Sequence, residues 1–217
     1  MKIDTNTLNI LKNFAKINPS ILIQEGNTLK TMSSTKTIMA KSKVTTNFNK
    51  KFAIYNLDRF LSAISLFDDP DLEFNDKFVQ IKNKNKSINY TYADEFTIIK
   101  APEKEITLPS VDVVFQLTNI DLKAVEKAAG ILGLPEIVVL GDGSNICLQA
   151  ADSKNPSADI YSVNIGETDK KFKAIFKSEN IKIIPGDYEV SLCSMGISHW
   201  KGTEIEYWIA IEAHSTF

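Results

Sequence analysis

Leu8-Asn9-Ile10-Leu11-Lys12-Asn13-Phe14-Ala15-Lys16-Ile17 and Leu122-Lys123-Ala124-Val125-Glu126-Lys127-Ala128-Ala129 decide the fold, because each is a lysine-bearing amphipathic segment that leads into a short apolar strand. In the first, Asn9, Lys12, Asn13 and Lys16 follow the i, i+3, i+4, i+7 spacing of one helix face. Ile21-Leu22-Ile23 comes next and closes at Gly26. In the second, Lys123, Glu126 and Lys127 share a face against Leu122, Val125 and Ala129, and Ile137-Val138-Val139-Leu140 closes at Gly141. A repeat on this scale is a duplicated domain rather than a solenoid unit.

A second helix in each half is expected from the same patterning. Asn56 is a helix cap before Leu57, Phe60, Leu61, Ile64 and Phe67, and the segment ends at Asp68-Asp69-Pro70. Later, Thr168 is the expected cap of a helix with Phe172, Ile175 and Phe176 on its apolar side and Lys170, Lys173 and Lys177 on its polar side. Strand-like Leu72-Glu73-Phe74 and Tyr188-Glu189-Val190 follow Pro70 and Pro185. Each half therefore reads helix, strands, helix, strands. The expected class is α+β, with two similar domains of two helices each packed on antiparallel sheets.

Between the halves, Ala101-Pro102-Glu103-Lys104-Glu105-Ile106-Thr107-Leu108-Pro109 carries two prolines and mixed charge, the composition of an extended connector. The boundary is set there, with domains at 1–105 and 106–217. Phe78 to Tyr92 reads as a hairpin turning at Asn83-Lys84-Asn85. Gly141-Asp142-Gly143-Ser144-Asn145 has the glycines of a phosphate or calcium loop, but no helix N-terminus follows it and the spacing is not that of a calcium loop. A hairpin turn is expected.

Net charge is −2, yet the charges are segregated. Lys36 to Lys51 and Lys77 to Lys86 contain lysines and no acid, and Lys170 to Lys182 contains one acid, Glu179. Acids gather at Asp68-Asp69-Pro70-Asp71 and at Glu204, Glu206 and Glu212. Such a chain presents basic faces to a polyanion despite its acidic total. No apolar run reaches the roughly 20 residues a membrane helix needs. The start lacks the apolar core of a secretory signal, and Cys147 and Cys193 read as free thiols, so an intracellular setting is expected.

The groups an enzyme needs are missing from the pattern. His199 and His214 have no cysteine or histidine at metal-ligand spacing, and there is no serine elbow or phosphate-cradling loop. No catalytic residue, metal or cofactor is expected.

Four stretches then carry a resemblance. Leu11-Lys12-Asn13-Phe14-Ala15-Lys16-Ile17-Asn18, Phe52-Ala53-Ile54-Tyr55-Asn56-Leu57-Asp58-Arg59-Phe60-Leu61 through Leu66, and Pro185-Gly186-Asp187-Tyr188 with the ending Ala210-Ile211-Glu212-Ala213 resemble the DNA polymerase sliding clamps of T-even-type bacteriophages. The similarity runs nearly end to end; the hairpin near Asn83, the connector and the segment 35–50 depart from the family pattern. The resemblance implies the DNA clamp fold and a head-to-tail homotrimeric ring around duplex DNA that tethers the replicative polymerase. It also implies an ATP-driven loader, assistance to viral late transcription, and action in the cytoplasm of the infected bacterial host.

Taken with the helix stripes, the resemblance implies that Lys12, Lys16, Arg59, Lys123, Lys127, Lys170, Lys173 and Lys177 face DNA. Taken alone, each stripe is an ordinary solvated helix face. Ile106, Leu108 and Val111 in the connector, with Ile211, are the expected lining of a pocket for a partner's tail peptide. Two alternatives stay open at this stage: a duplicated-domain interaction protein without clamp activity, and a single-strand or RNA binder using Tyr90, Tyr92 and the hairpin lysines.

Overall fold

The computed structural model describes all 217 residues, which separate into two compact units, Met1–Lys104 and Glu105–Phe217. In the first unit, helix α1 (Thr5–Ile17) starts where the Asp4 carboxylate accepts the Thr7 amide at 2.9 Å. It buries Ile10, Leu11, Phe14 and Ile17. Phe14 is fully enclosed, a burial that contributes about 1.5–3 kcal/mol. Strands β1 (Ile21–Ile23), β2 (Gly26–Met32), β3 (Ile38–Phe48) and β4 (Phe52–Ile54) follow. β1 pairs antiparallel with β4, and β2 with β3.

Helix α2 (Leu57–Ser65) is capped by Asn56, whose side-chain oxygen accepts the Arg59 amide at 2.8 Å. Leu57, Phe60, Leu61 and Ile64 are its buried side. Strands β5 (Asp71–Phe74), β6 (Phe78–Asn83) and β7 (Lys86–Thr91) form a three-stranded meander, with Asn83 paired to Lys86 across the expected hairpin turn. α1 packs on β2, β3 and α2, and α2 on β7.

Asp4 also accepts the hydroxyls of Thr7 and Thr46. Burial raises its pKa, but these bonds outweigh burial and hold it well below the usual carboxylate value. A depressed folded-state pKa gives stability that is complete above the unfolded value and is lost as pH falls through the folded one. Asp4→Ala is therefore expected to cost about 1 kcal/mol at neutral pH. Its deficit should shrink as pH drops below 3.8, as urea unfolding at both pH values will show.

The second unit begins with β8 (Val113–Leu117) and helix α3 (Asn119–Leu132). Thr118 caps α3, Gly133 ends it in the left-handed region, and Leu122, Val125 and Ala129 are buried. Strands β9 (Glu136–Asp142), β10 (Asn145–Ala151), β11 (Tyr161–Glu167) and β12 (Lys171–Lys177) form one sheet in the order β11-β10-β9-β12. Strands β13 (Tyr188–Cys193), β14 (Ile197–Lys201) and β15 (Ile205–Ala210) line up beside β8 in the order β15-β14-β13-β8. Phe176 meets Trp200 edge-on at 5.6 Å, joining the two groups of strands through one core. The Trp200 indole donates to Ser198, whose hydroxyl donates to the Ile209 carbonyl, so this buried polar chain is satisfied.

The glycines of Gly141-Asp142-Gly143 serve the β9–β10 hairpin. Gly143 holds φ +93°, and a Cβ on Gly141 would lie 2.3 Å from the Phe172 ring. The Asp142 carboxylate accepts the amides of Ser144 and Asn145. This is turn chemistry rather than an anion cradle.

One expectation is corrected. Lys170 to Lys177 is not a helix: Lys171–Lys177 is strand β12, paired along its length with β9. Phe172, Ala174 and Phe176 alternate onto the buried side, facing the core with Ile137 and Val139. The apolar run of β9 has β10 on one edge and needs a second partner on the other, which overrides the weak helical spacing. Thr168 caps a turn, accepting the Lys170 amide at 3.1 Å. The second helix shrinks to one 3-10 turn, Ser178–Asn180. The duplication survives in register: β4 pairs with β1 and enters α2, while β12 pairs with β9 and enters the 3-10 turn. The chain thus holds three α-helices rather than four.

Candidate nucleic-acid and partner interfaces

Lys12 and Lys16 stand exposed, four residues apart, on α1. Asn13, expected beside them, is 6% exposed and belongs to the interior. Lys123 and Lys127 stand exposed on α3 with the same spacing. That stripe ends in Ile120 and Ile131, 79% and 71% exposed, which lie three residues before and four after the lysines. Patterning from the sequence missed these isoleucines because it assigned apolar residues to the core.

Arg59 is exposed on α2 but faces the β7 edge. With Tyr55, Leu66, Ile88, Tyr90 and Tyr92 it lines a groove of about 610 Å³ between α2 and β7. The Tyr90 hydroxyl donates to the Asn56 carbonyl at 3.0 Å and its ring meets Phe60, fixing the groove floor. The Tyr92 hydroxyl is buried in the groove wall without a hydrogen-bond partner, and burial pushes its pKa up to about 12.

Lys170, Lys173 and Lys177 lose the helix that grouped them. Lys170 donates to the Asp112 carbonyl. Strand alternation puts Lys171, Lys173 and Lys177 on the side of the sheet away from Phe172 and Phe176. α3 packs on β9, β10 and β11, on the side of Ile137, which lines a cavity with Glu126 and Ala129 and is the register partner of Phe176. Lys173 and Lys177 therefore point away from the face that carries Lys123 and Lys127.

Of the expected pocket residues, Val111 and Ile211 flank the turn from Cys193 to Gly196. Asp112 accepts the Ser194 amide at 2.7 Å, Ser110 Oγ lies 3.3 Å from Cys193 Sγ, and the Ile211 amide donates to the Gly196 carbonyl at 2.9 Å. Val111 is 55% exposed and Ile211 is buried. Ile106 and Leu108 are half-buried in the connector. The turn adds Met195, 73% exposed, a soft apolar side chain suited to contact with a partner; nothing in its local sequence marks it.

The histidines form polar pairs rather than catalytic sites. His199 meets Glu206 at 2.9 Å and stacks on Trp208. His214 Nε2 lies 3.0 Å from Ser153 Oγ and 3.6 Å from Glu136 Oε1. A triad needs the carboxylate on the opposite ring nitrogen, whereas here Glu136 sits on the same one and takes the serine hydroxyl itself. No group of three or more His, Cys, Asp or Glu side chains is placed to hold a metal.

Two exposed lysine-bearing helices in a duplicated α+β chain are the geometry that the comparisons explain. The model of the DNA polymerase processivity factor family matches residues 3–100, and that of the gp45 sliding clamp, C terminal, matches residues 114–213. The sliding clamp of Vibrio phage KVP40 is 36% identical over 220 residues, covering 98% of this chain and 100% of that protein. The chain belongs to the phage sliding-clamp family. It is a sliding clamp, a processivity factor of DNA polymerase, and not an enzyme. Among solved structures, the proliferating cell nuclear antigen (PCNA) of Thermococcus kodakaraensis superposes with TM-score 0.69 at 16% identity, covering 95% of this chain and 96% of that one. PCNA of A. fulgidus, solved with the C-terminal region of FEN-1 bound, gives 0.68 at 12% identity, covering 95% of each chain. At such identities these structures speak for the fold alone, which is the clamp fold.

Proposed function

We propose that three copies of the chain join head to tail into a closed ring that encircles duplex DNA and tethers the replicative polymerase. The observation that carries this reading is a pair of unlike surfaces. β7 is a terminal strand of its sheet and lies beside the α2 groove, where Tyr55 and Leu66 are 65% and 70% exposed. β11 is a terminal strand of the other unit and packs beside α3, with Ile160 64% and Tyr161 38% exposed. Strand edges pair readily, and two unlike surfaces joined head to tail generate a ring when the rotation between copies closes. The strands are similar in length, six residues against seven. Antiparallel pairing sets Lys86 opposite Glu167, at the start of one strand and the end of the other. The orphan Tyr92 hydroxyl gains a partner when β11 of the next copy enters the groove.

Enclosure explains the absence of tight DNA-binding chemistry. Lys12, Lys16, Lys123 and Lys127 are flexible point charges that meet phosphates through water without reading sequence. The energy changes little as the ring advances, so it slides. Arg59 lies in the groove and serves the subunit contact. A ring closed before it meets DNA needs an ATP-driven loader to open it, so the clamp itself needs no nucleotide site. Assistance to late transcription, through the same tethering of a second polymerase, and action in the cytoplasm of the infected host belong to the same reading.

Solution mass by light scattering over a concentration series tests the ring. The expected mass is three times 24.2 kDa, dissociating on dilution without a stable dimer. A monomer at every concentration removes the means of enclosure.

The polymerase is held through a tail peptide seated against Leu108, Ile106, Val111 and Ile211. Leu108→Asp puts a carboxylate into that apolar lining and is expected to weaken polymerase binding about tenfold or more. The oligomer should stay intact. Unchanged polymerase binding in a pull-down titration removes Leu108 from the site.

A further inference from the structure

β12 ends its sheet, yet its outer edge is occupied by Glu212–Phe217. The Glu212 amide donates to the Ile175 carbonyl at 2.8 Å, and the Ile175 amide donates to Ser215 Oγ at 3.0 Å. Lys173 and Thr216 exchange both backbone bonds, at 2.8 and 2.9 Å. The Phe217 ring lies nearly parallel to Phe172, 13° off plane with centroids 6.1 Å apart. His214 reaches Ser153, which gives its amide and hydroxyl to buried Glu136 at 2.8 and 2.9 Å. These residues form a strap with a short ladder, a ring stack and a polar clasp.

The strap is weakly fixed for what it covers. His214 and Phe217 remain 45% and 42% exposed, and a backbone ladder this short and solvated opens at low cost. Beneath Phe217 is a cavity of about 310 Å³ lined by Asp112, Val113, Lys170, Lys171 and Phe172. Strand β12 carries three lysines and no acid, and Lys170 stands just before it. The strap itself is an extended segment with an acid, Glu212, and an aromatic, Phe217.

We propose that the β12 edge is a docking site for an extended acidic peptide of a protein partner, and that Glu212–Phe217 is its built-in competitor. The peptide adds a strand where Thr216 now pairs with Lys173. Its aromatic residue replaces Phe217 on Phe172 and fills the cavity beneath. Its carboxylates meet Lys171, Lys173 and Lys177, which account for the lysine run that no helix explains. The site uses none of Ile106, Leu108, Val111 or Ile211, and it stands whether or not the chain forms a ring.

The probe is a fluorescein-labelled, amidated peptide, Asp-Asp-Ile-Glu-Ala-Asp-Ser-Thr-Phe, followed by anisotropy with the full-length chain. Thr216→Pro with Phe217→Ala removes the ladder amide and the ring stack, freeing the edge. This variant is expected to bind the probe about tenfold more tightly than the unaltered chain, because the competent state is no longer masked. Adding Lys171→Glu, at an exposed position, and Lys173→Glu, at a half-buried one, should reverse the gain, and a probe with its acids replaced by amides should bind weakly to every form. Hydrogen exchange locates the contact: the Lys173 amide loses protection in the freed variant and regains it with probe. Equal affinity for the freed and unaltered chains overturns the proposal. So does binding indifferent to the lysine reversals, or an unprotected Lys173 amide at saturating probe.

Discussion

Replacing Lys12, Lys16, Lys123 and Lys127 together by glutamate abolishes processive synthesis and leaves the folded oligomer intact. All four side chains are exposed, so each change costs at most about 0.5 kcal/mol of stability. Unfolding midpoint and solution mass should match those of the unaltered chain. On DNA the expected effect is large. Each reversal moves the net charge of −2 two units further negative, and helices proposed to attract phosphates would repel them. Product length on a primed circular template should collapse to that of the polymerase alone. Retention of long products would remove these helices from the DNA-facing surface while leaving the ring in place. The charge-neutral glutamine series separates attraction from repulsion: it should shorten products only partly, and more at higher salt.

The second large effect falls on the subunit contact. Ile160→Asp with Tyr161→Asp puts two carboxylates at the start of β11, one just before it and one on its first residue, against the proposed apolar groove of the next copy. Burying them costs at least about 3 kcal/mol, a factor of about 100 or more in affinity. The chain should sediment near 24.2 kDa at concentrations where the unaltered protein is expected to be a trimer. Its far-ultraviolet spectrum should not change, because both residues are exposed in the single chain. An unaltered trimer would move the contact to other strands. Leu66→Glu, on the groove side, is expected to give the same monomer, and mixing the two variants should not restore the ring, since each closed contact needs both surfaces.

Helices α1 and α3 were legible in the sequence because their lysines are solvated while Ile10, Leu11, Phe14, Leu122, Val125 and Ala129 are buried, so at these positions composition and geometry agree. The strand β12 was misread because Lys170-Lys171-Phe172-Lys173-Ala174-Ile175-Phe176-Lys177 satisfies two periods at once. Lysines at 170, 173 and 177 mimic a helix face, while Phe172, Ala174 and Phe176 alternate as a strand. Pairing with β9 decides between them, and that pairing spans a loop the local pattern does not see. The connector, both hairpin turns and the strands after Pro70 and Pro185 followed from turn chemistry, which is local. The candidate sites were legible only in part. The place of Arg59 in the α2–β7 groove, Met195 between Val111 and Ile211, and the strap on Lys173 all depend on residues brought together from distant parts of the chain. Exposed apolar residues such as Ile131 and Tyr161 were invisible for a further reason: sequence patterning places such residues in a core, and only the folded unit shows them outside it.

Topological retention is the central claim, and one measurement reaches it directly. The clamp is loaded onto a nicked circular duplex, freed of the loader by gel filtration at high salt, and the DNA is then cut once with a restriction enzyme. Enclosure predicts that the clamp co-elutes with the circle even at high salt and leaves the DNA within minutes of the cut, unless both ends are blocked by bound protein. A clamp that elutes equally with circular and linear DNA, and that salt strips from both, binds by charge alone, and the ring account is then wrong.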